Sequence, residues 1–195
     1  AQRVIEYRDR IVSALPEGST FKPQMTLFLT DSTDPEMVRK LILEETIRAV
    51  KLYPAGATTN AEAGVTDIKS CYSVFEVMQE MGGVLSIHCE VANAQIDPFE
   101  REARFIDSEL HRLVTDFPEL KIVCEHASTK TMIEYVRSQD HHIAATITPH
   151  HLWLNRCDIF DGGLNPHHWC LPVLKHRDDQ AAIISAALSD NPKFF

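Results

Sequence analysis

The sequence of 195 residues lacks a long apolar run and an excess of basic charge. No stretch approaches the roughly 18 apolar residues that a membrane-spanning helix needs, and no basic segment followed by an apolar one opens the chain. With 19 Lys and Arg against 28 Asp and Glu, the formal charge is −9. This charge would repel both the phosphate backbone of a nucleic acid and an anionic membrane surface. Nucleic acids and membranes are therefore not expected as partners.

Paired cysteines and a glycine-rich phosphate loop are also missing. The five cysteines are an odd number, and no two of them form a Cys-X-X-Cys pair. This argues against a disulfide framework or a cysteine-rich zinc site, and favours reduced thiols in a cytoplasmic compartment. No Gly-X-Gly-X-X-Gly occurs among the 7 glycines, which disfavours a dinucleotide-binding fold. The remaining composition, 44% hydrophobic and 24% charged, is that of an ordinary globular domain.

The chain alternates between apolar runs and amphipathic segments. The apolar runs predict strands at 24–29, 47–53, 84–88, 121–124 and 143–147. Helices are predicted after Asp34-Pro35, over 68–78, at 98–117, near 130–137 and near 178–188. Because each return to the same edge of the sheet needs a crossover, the alternation predicts a parallel sheet. A complete (β/α)₈ TIM barrel needs eight strands and about 250 residues. We therefore expect an α/β fold in which residues 1–195 form one incomplete barrel domain.

Three chemically useful residues stand at the carboxyl ends of successive predicted strands: Lys51, His88 and His126. Alone, Lys51 could be a rim lysine paired with a carboxylate, and either histidine a hydrogen-bonded core residue. Together, their regular placement favours a site, because barrel enzymes build their active sites at these strand ends. Imidazole is a good zinc ligand. A lysine with a pKa lowered by burial could add CO₂ and become a carbamate that bridges two metal ions.

The stretch AVKLYPAGATTN from Ala49 to Asn60, followed by Gly64-Val65, resembles the carboxylated-lysine strand and mobile loop of the compact class of dihydroorotases, members of the amidohydrolase superfamily. Further stretches resemble the same family in the same order: IHCE at 87–90, FEREARFI at 99–106, CEH at 124–126, ATITPHHL at 145–152 and CLPVLK at 170–175. The stretches AVKLYPAGATTN and CLPVLK together favour dihydroorotase over the related hydantoinases and allantoinases.

The resemblance implies a partly specified metal and substrate site. It implies that Lys51, as its carbamate, bridges two zinc ions and that His88 and His126 complete the shell of one of them. His88 is also implied to lie against the substrate.

For the substrate itself, the resemblance implies that Thr58 and Thr59 belong to a loop that closes over it. It also implies that the backbone of Leu171 contacts the pyrimidine ring. The implied reaction is the reversible cyclisation of N-carbamoyl-L-aspartate to L-dihydroorotate in de novo pyrimidine (UMP) synthesis. The partner expected is thus a small-molecule substrate, and the oligomeric state is left open, with a homodimer as one alternative.

Two features of the family pattern are missing from the sequence. The His-X-His pair of the first strand and the general-base aspartate of the eighth are not found, so the chain resembles an internal segment, roughly strands three to seven. The residues from Gln2 to Tyr7 resemble the middle of a helix, which agrees with this interpretation. No catalytic base is assigned, and we expect the segment alone to be inactive. The alternative is a non-catalytic remnant or interaction domain that keeps one metal half-site.

Several other residues attract attention without a clear role. The doublets His141-His142, His150-His151 and His167-His168 could suggest metal binding. The first pair is expected to be solvated or to pack in a loop, while His151 and His167 fall in stretches that could shape a pocket wall. Glu100-Arg101-Glu102 is expected on a solvated helix face. Trp153 and Trp169 are expected to be packing residues.

Overall fold

The computed structural model describes residues 2–140 and 142–195. Five parallel strands form one sheet in the order β1-β2-β3-β4-β5, which is also their order along the chain. The strands are β1 (Thr26–Phe28), β2 (Ala49–Leu52), β3 (Val84–His88), β4 (Lys121–Glu125) and β5 (Ile143–Ala145). All five predicted strands are present, and the expected parallel α/β sheet is confirmed.

Some strands are shorter than predicted, although backbone hydrogen bonds continue beyond their ends. Next to β1, the N–H of Leu29 still donates to the carbonyl of Lys51 at 2.8 Å. Beyond β5, the N–H of Thr146 donates to the carbonyl of Cys124 at 3.1 Å. On the outer side of β5, the N–H of Ala145 donates to the carbonyl of Lys193 at 2.8 Å. The last residues of the chain thus run along this edge of the sheet.

Helices fill the intervals between the strands. Their bounds are α1 (Gln2–Ser13), α2 (Pro35–Leu43), α3 (Tyr72–Met81), α4 (Arg101–Phe105), α5 (His111–Asp116), α6 (Lys130–Ser138), α7 (Pro149–Trp153) and α8 (Arg177–Ala187). Short 3₁₀ segments occur at Ile68–Cys71, Arg156–Ile159 and Pro166–His168. None of the helices within 2–140 and 142–195 is long and apolar enough to cross a membrane.

Local chemistry explains several helix ends. The side chain of Asp34 accepts a hydrogen bond from the N–H of Glu36 at 3.0 Å, and Pro35 occupies the first helical position, as expected from the sequence. Helix α3 ends at Gly82, whose φ of 66° is left-handed. The helix predicted at 98–117 begins later and is interrupted by a π-helical segment at Ile106–Leu110.

Successive side chains along each strand point to opposite faces of the sheet, and the two faces differ in polarity. Parallel register aligns Lys51 with Ser86 and His88 with Glu125, so these polar side chains share one face. The opposite face presents apolar side chains to the helices; among the buried ones are Val50, Leu52, Leu85, Ile87, Ile122 and Cys124. One face of the sheet therefore packs into the core. The other face carries polar side chains near the carboxyl ends of the strands.

Candidate functional site

Lys51 lies on β2 with 7% of its surface exposed. Its ammonium group forms an ion pair with the carboxylate of Glu125, at the end of β4. The same nitrogen lies 4.7 Å from the ring centre of Tyr53. Burial lowers the pKa of Lys51, and the contact with Glu125 opposes this effect. The geometry thus shows the lysine–carboxylate pair that the sequence left open, and a lysine whose burial favours the neutral amine.

His88 and His126 face each other at the ends of β3 and β4. Nδ1 of His88 lies 3.3 Å from Nε2 of His126, and the ring planes are inclined by 69°. Burial, followed by the neighbouring charges of His88 and Lys51, lowers the pKa of His126 to about 2. His126 is therefore neutral at physiological pH, the form in which imidazole binds a metal. Its buried Nδ1 has no hydrogen-bond partner among the described residues.

The backbone of His126 is itself unusual. Its φ of 48° lies in the left-handed region, which histidine enters more readily than most residues. The N–H of His126 donates to Oγ1 of Thr146 at 2.7 Å, and the N–H of Ala127 donates to the carbonyl of Thr146 at 2.9 Å. These two bonds tie the turn after β4 to the end of β5 and direct the imidazole toward His88.

Behind the histidines lies a pair of buried charged residues that the sequence did not single out. Oε2 of Glu90 lies 3.1 Å from Nε2 of His88, and its other carboxylate oxygen lies 3.7 Å from Nζ of Lys175. Nζ of Lys175 also donates to the carbonyl of Val173 at 2.9 Å. Both residues lie in or next to notable parts of the sequence, because Glu90 follows His88 by two positions and Lys175 ends the stretch CLPVLK.

Glu102 corrects one expectation from the sequence. It is 1% exposed, so it does not lie on a solvated helix face. Its carboxylate accepts hydrogen bonds from the N–H of Ser128 at 2.9 Å and from the hydroxyl of Thr129. Burial raises the pKa of Glu102 to about 7, against the opposing effects of the Lys175 charge and these hydrogen bonds. Glu102 therefore anchors the loop that carries His126 into α6.

The loop from Pro54 to Val65 is closed at its base. The N–H of Ala55 donates to the carbonyl of Val65 at 2.9 Å, and the N–H of Val65 donates to the carbonyl of Tyr53 at 2.8 Å. A Cβ atom on Gly64 would lie 2.3 Å from the Tyr53 carbonyl oxygen, so this position requires glycine for close approach. Thr58 is half-buried and Thr59 is exposed. The loop after β2 therefore holds both threonines between fixed ends.

Leu171 is half-buried in the loop that leads to α8. The neighbouring carbonyl of Pro172 lies 3.1 Å from Nε2 of His151, and Nδ1 of His151 lies 2.6 Å from Oγ1 of Thr148. Burial lowers the pKa of His151 to about 4. His151 thus fastens the Leu171 loop to the start of α7, a structural role that the sequence pattern did not reveal.

The other histidines and the tryptophans lie on or near the surface. Nε2 of His142 lies 3.1 Å from a carboxylate oxygen of Glu119, while His141 lies outside the described residues. His167 is exposed. Trp153 is 84% exposed and Trp169 49%, so within the described part of the chain these two are not the packing residues that the sequence predicted.

The structure therefore brings together Lys51, His88 and His126, while Thr58, Thr59 and Leu171 lie in loops beyond the strand ends. Within 2–140 and 142–195, no three His, Cys, Asp or Glu side chains form a group that could hold a metal. Among these residues, Lys51 is the candidate for a further ligand to a metal between His88 and His126.

No family model matches the chain. The dihydroorotase of Ralstonia pickettii is 51% identical over 97% of this chain and 55% of that protein. The chain thus spans a little over half the length of the curated relatives it matches.

Solved structures of dihydroorotases are also similar to this chain. The dihydroorotase of Saccharomyces cerevisiae, crystallised with 5-fluoroorotic acid, is 35% identical with a TM-score of 0.87, over 100% of this chain and 56% of that one. The dihydroorotase of Campylobacter jejuni is 34% identical with a TM-score of 0.89 over the same shares. A D-hydantoinase from Bacillus sp. AR9 is 16% identical with a TM-score of 0.70, over 94% of this chain and 44% of that one, and supports the barrel fold alone.

Proposed function

Because this chain belongs to the dihydroorotase family, we propose that the whole protein interconverts N-carbamoyl-L-aspartate and L-dihydroorotate in pyrimidine synthesis. The observation that carries the proposal is the convergence of Lys51, His88 and His126 at adjoining strand ends, in the arrangement the family motifs imply. The pyrimidine ligand of the yeast relative is consistent with a pyrimidine-ring substrate.

The side chains present fit a zinc site. His126 is neutral, and its Nε2 lies 3.3 Å from Nδ1 of His88, so these two facing nitrogens could hold one metal ion. Lys51 would complete the ligand set as a carbamate, formed when its neutral amine adds CO₂ and releases a proton. Zinc, when bound, would polarise the amide carbonyl and lower the pKa of water.

The chain's own residues would prepare that site in two ways. Burial lowers the pKa of Lys51 and so favours the neutral amine that adds CO₂, and conversion to a carbamate would replace its positive charge by a negative one and release Glu125. The hydroxyls of Thr58 and Thr59, on a loop with a fixed base, would close over the substrate and exclude water. The backbone of Leu171, on the loop fastened by His151, would orient the ring.

The general-base aspartate and the His-X-His pair implied by the family are not among these residues, so no base is assigned. We propose that residues 1–195 without the rest of the protein lack turnover, since catalytic groups that act as a unit fail together.

The unpaired state of all five cysteines supports a reducing, cytoplasmic setting.

The deciding experiment is an assay of L-dihydroorotate ring opening by the purified whole protein, together with its zinc content. We expect metal-dependent turnover that is lost on chelation. The alternative is a non-catalytic protein that keeps one metal half-site. It predicts zinc binding without turnover, and that result would refute the proposal.

A further inference from the structure

We propose that Glu90, supported by Lys175, is a positioning residue that holds His88 in the tautomer protonated at Nε2. Its Nδ1 is then the nitrogen left to bind a metal. The inference rests on the proposed function only in taking His88 as a metal ligand. It concerns a buried chain of contacts, His88–Glu90–Lys175, that runs from the strand end to the loop carrying Leu171.

The contact between His88 and Glu90 is shielded from water. Their side chains are 1% and 0% exposed, and Nε2 of His88 lies 3.1 Å from Oε2 of Glu90. An ionised carboxylate only accepts hydrogen bonds, and a neutral imidazole carries one N–H. With a neutral His88 and an ionised Glu90, this contact is satisfied when the proton of His88 sits on Nε2. Nδ1 then presents its lone pair toward Nε2 of His126, 3.3 Å away.

Lys175 accounts for the charge that this arrangement requires. Oε1 of Glu90 is buried and has no hydrogen-bond partner in the described part of the chain, and the cationic Nζ of Lys175 lies 3.7 Å from it. A buried carboxylate stays ionised only beside a compensating positive charge. Lys175 is itself held in place by the carbonyl of Val173 at 2.9 Å. It acts on His88 only through Glu90.

A buried ion pair can also serve folding alone, so the test must separate orientation from stability. In metal sites, carboxylates that accept a hydrogen bond from a ligating histidine fix its tautomer, and their loss weakens metal binding about 10- to 100-fold. A purely structural pair would instead change the free energy of unfolding and leave the zinc affinity of the folded protein unchanged.

The experiment uses the whole protein with zinc as the probe. Zinc affinity is measured by competition with a chelator for wild type, Glu90→Gln, Lys175→Met and the double variant. We expect Glu90→Gln to weaken zinc binding about 10- to 100-fold. Lys175→Met should weaken it less, and the double variant should be no weaker than Glu90→Gln, because both residues act through one contact.

Glu119→Gln is the matched control. It removes a carboxylate from a histidine contact of the same length, 3.1 Å, at the surface pair with His142. Its zinc affinity should stay within about twofold of wild type. Equal zinc affinity in Glu90→Gln and wild type would overturn the inference.

A second measurement needs no variant. In the zinc-free wild-type protein, ¹⁵N NMR of the His88 ring should show a proton on Nε2 and none on Nδ1. The opposite tautomer would refute the inference even if Glu90→Gln does not fold. Absence of dihydroorotase turnover in the wild type would count against the proposed function and leave both readouts for His88 intact.

Discussion

The two ends of the sheet carry the same contact in different surroundings. At the carboxyl end, His88 meets Glu90 at 3.1 Å, with side chains 1% and 0% exposed. At the amino end, His142 meets Glu119, also at 3.1 Å, but with side chains 18% and 72% exposed. Water screens the second pair and is excluded from the first. Contact distance alone therefore does not distinguish a site from a surface ion pair, whereas burial and connection to further charged groups do.

The same contrast extends to the lysines and arginines. Near the amino end, Arg48 pairs with Glu45 on the surface, where such a pair contributes little. Near the carboxyl end, Lys51 and Lys175 are 7% and 4% exposed, and each faces a carboxylate. Burying charges is unfavourable unless they are paired, and both buried lysines meet this condition at the end of the sheet that holds the candidate site.

The largest effect is expected at Lys51. Lys51→Ala should abolish tight zinc binding at this site and lower turnover of the whole protein about 1,000-fold or more, because the variant has no amine to form the carbamate. Lys40→Ala, which removes an exposed lysine paired with Glu44, is the control and should leave both unchanged. Metal analysis and the ring-opening assay measure the outcome. Undiminished zinc in Lys51→Ala would contradict the assignment.

A second prediction concerns pH and Glu102. Its pKa rises from 4.5 to about 7 on folding, so the folded state binds more protons than the unfolded state between these values. Stability from this group is therefore present below pH 4.5 and is lost as the pH rises through 7, by up to about 3 kcal/mol. Glu102→Gln should flatten this part of the pH dependence.

The check is urea unfolding of the whole protein at several pH values from 4.5 to 8. Glu100→Gln is the matched control, because Glu100 lies two positions away but is exposed and pairs with Arg104 on the surface. This control should retain the wild-type slope. A Glu102→Gln variant with the same slope as wild type would show that Glu102 titrates alike in both states.

The loop beyond β2 offers a third, smaller effect. Replacing Thr58 and Thr59 together by alanine should lower turnover about 10- to 100-fold while leaving zinc content near that of wild type, because the hydroxyls are proposed to contact the substrate rather than the metal. Steady-state kinetics and metal analysis on the same preparation separate the two. Unchanged turnover would remove the threonines from the proposed site.

The smallest effect is expected at the surface pair. Glu119→Gln should change the free energy of unfolding by less than about 1 kcal/mol, and added salt should reduce the difference further. Urea unfolding at low and high salt measures this. A larger, salt-independent loss would mean that the two ends of the sheet differ less than their burial indicates.

The sequence predicted the order and type of the strands because apolar runs and helix caps are local features. Asp34-Pro35 and Gly82 behave as their chemistry dictates. It also placed Lys51, His88 and His126 at neighbouring strand ends, since parallel strands align those ends. It could not find Glu102, because local polarity predicts a solvated position, whereas the buried partners Ser128 and Thr129 come from a distant segment.

The same limitation explains Lys175 and His151. Lys175 is buried against Glu90, 85 positions earlier in the chain by residue number. The pattern around His151 gave no indication that it would bond to Pro172. Trp153 is also exposed, although a large aromatic side chain predicts burial.

The left-handed backbone of His126 has a consequence for mutational tolerance. Glycine, asparagine and aspartate enter this conformation with little penalty, whereas β-branched residues do not. In a library covering every substitution at position 126, folded protein should therefore survive best with small polar residues or glycine and worst with valine or isoleucine. Asparagine would separate loss of the imidazole from distortion of the turn, which the usual exchange to alanine would confound.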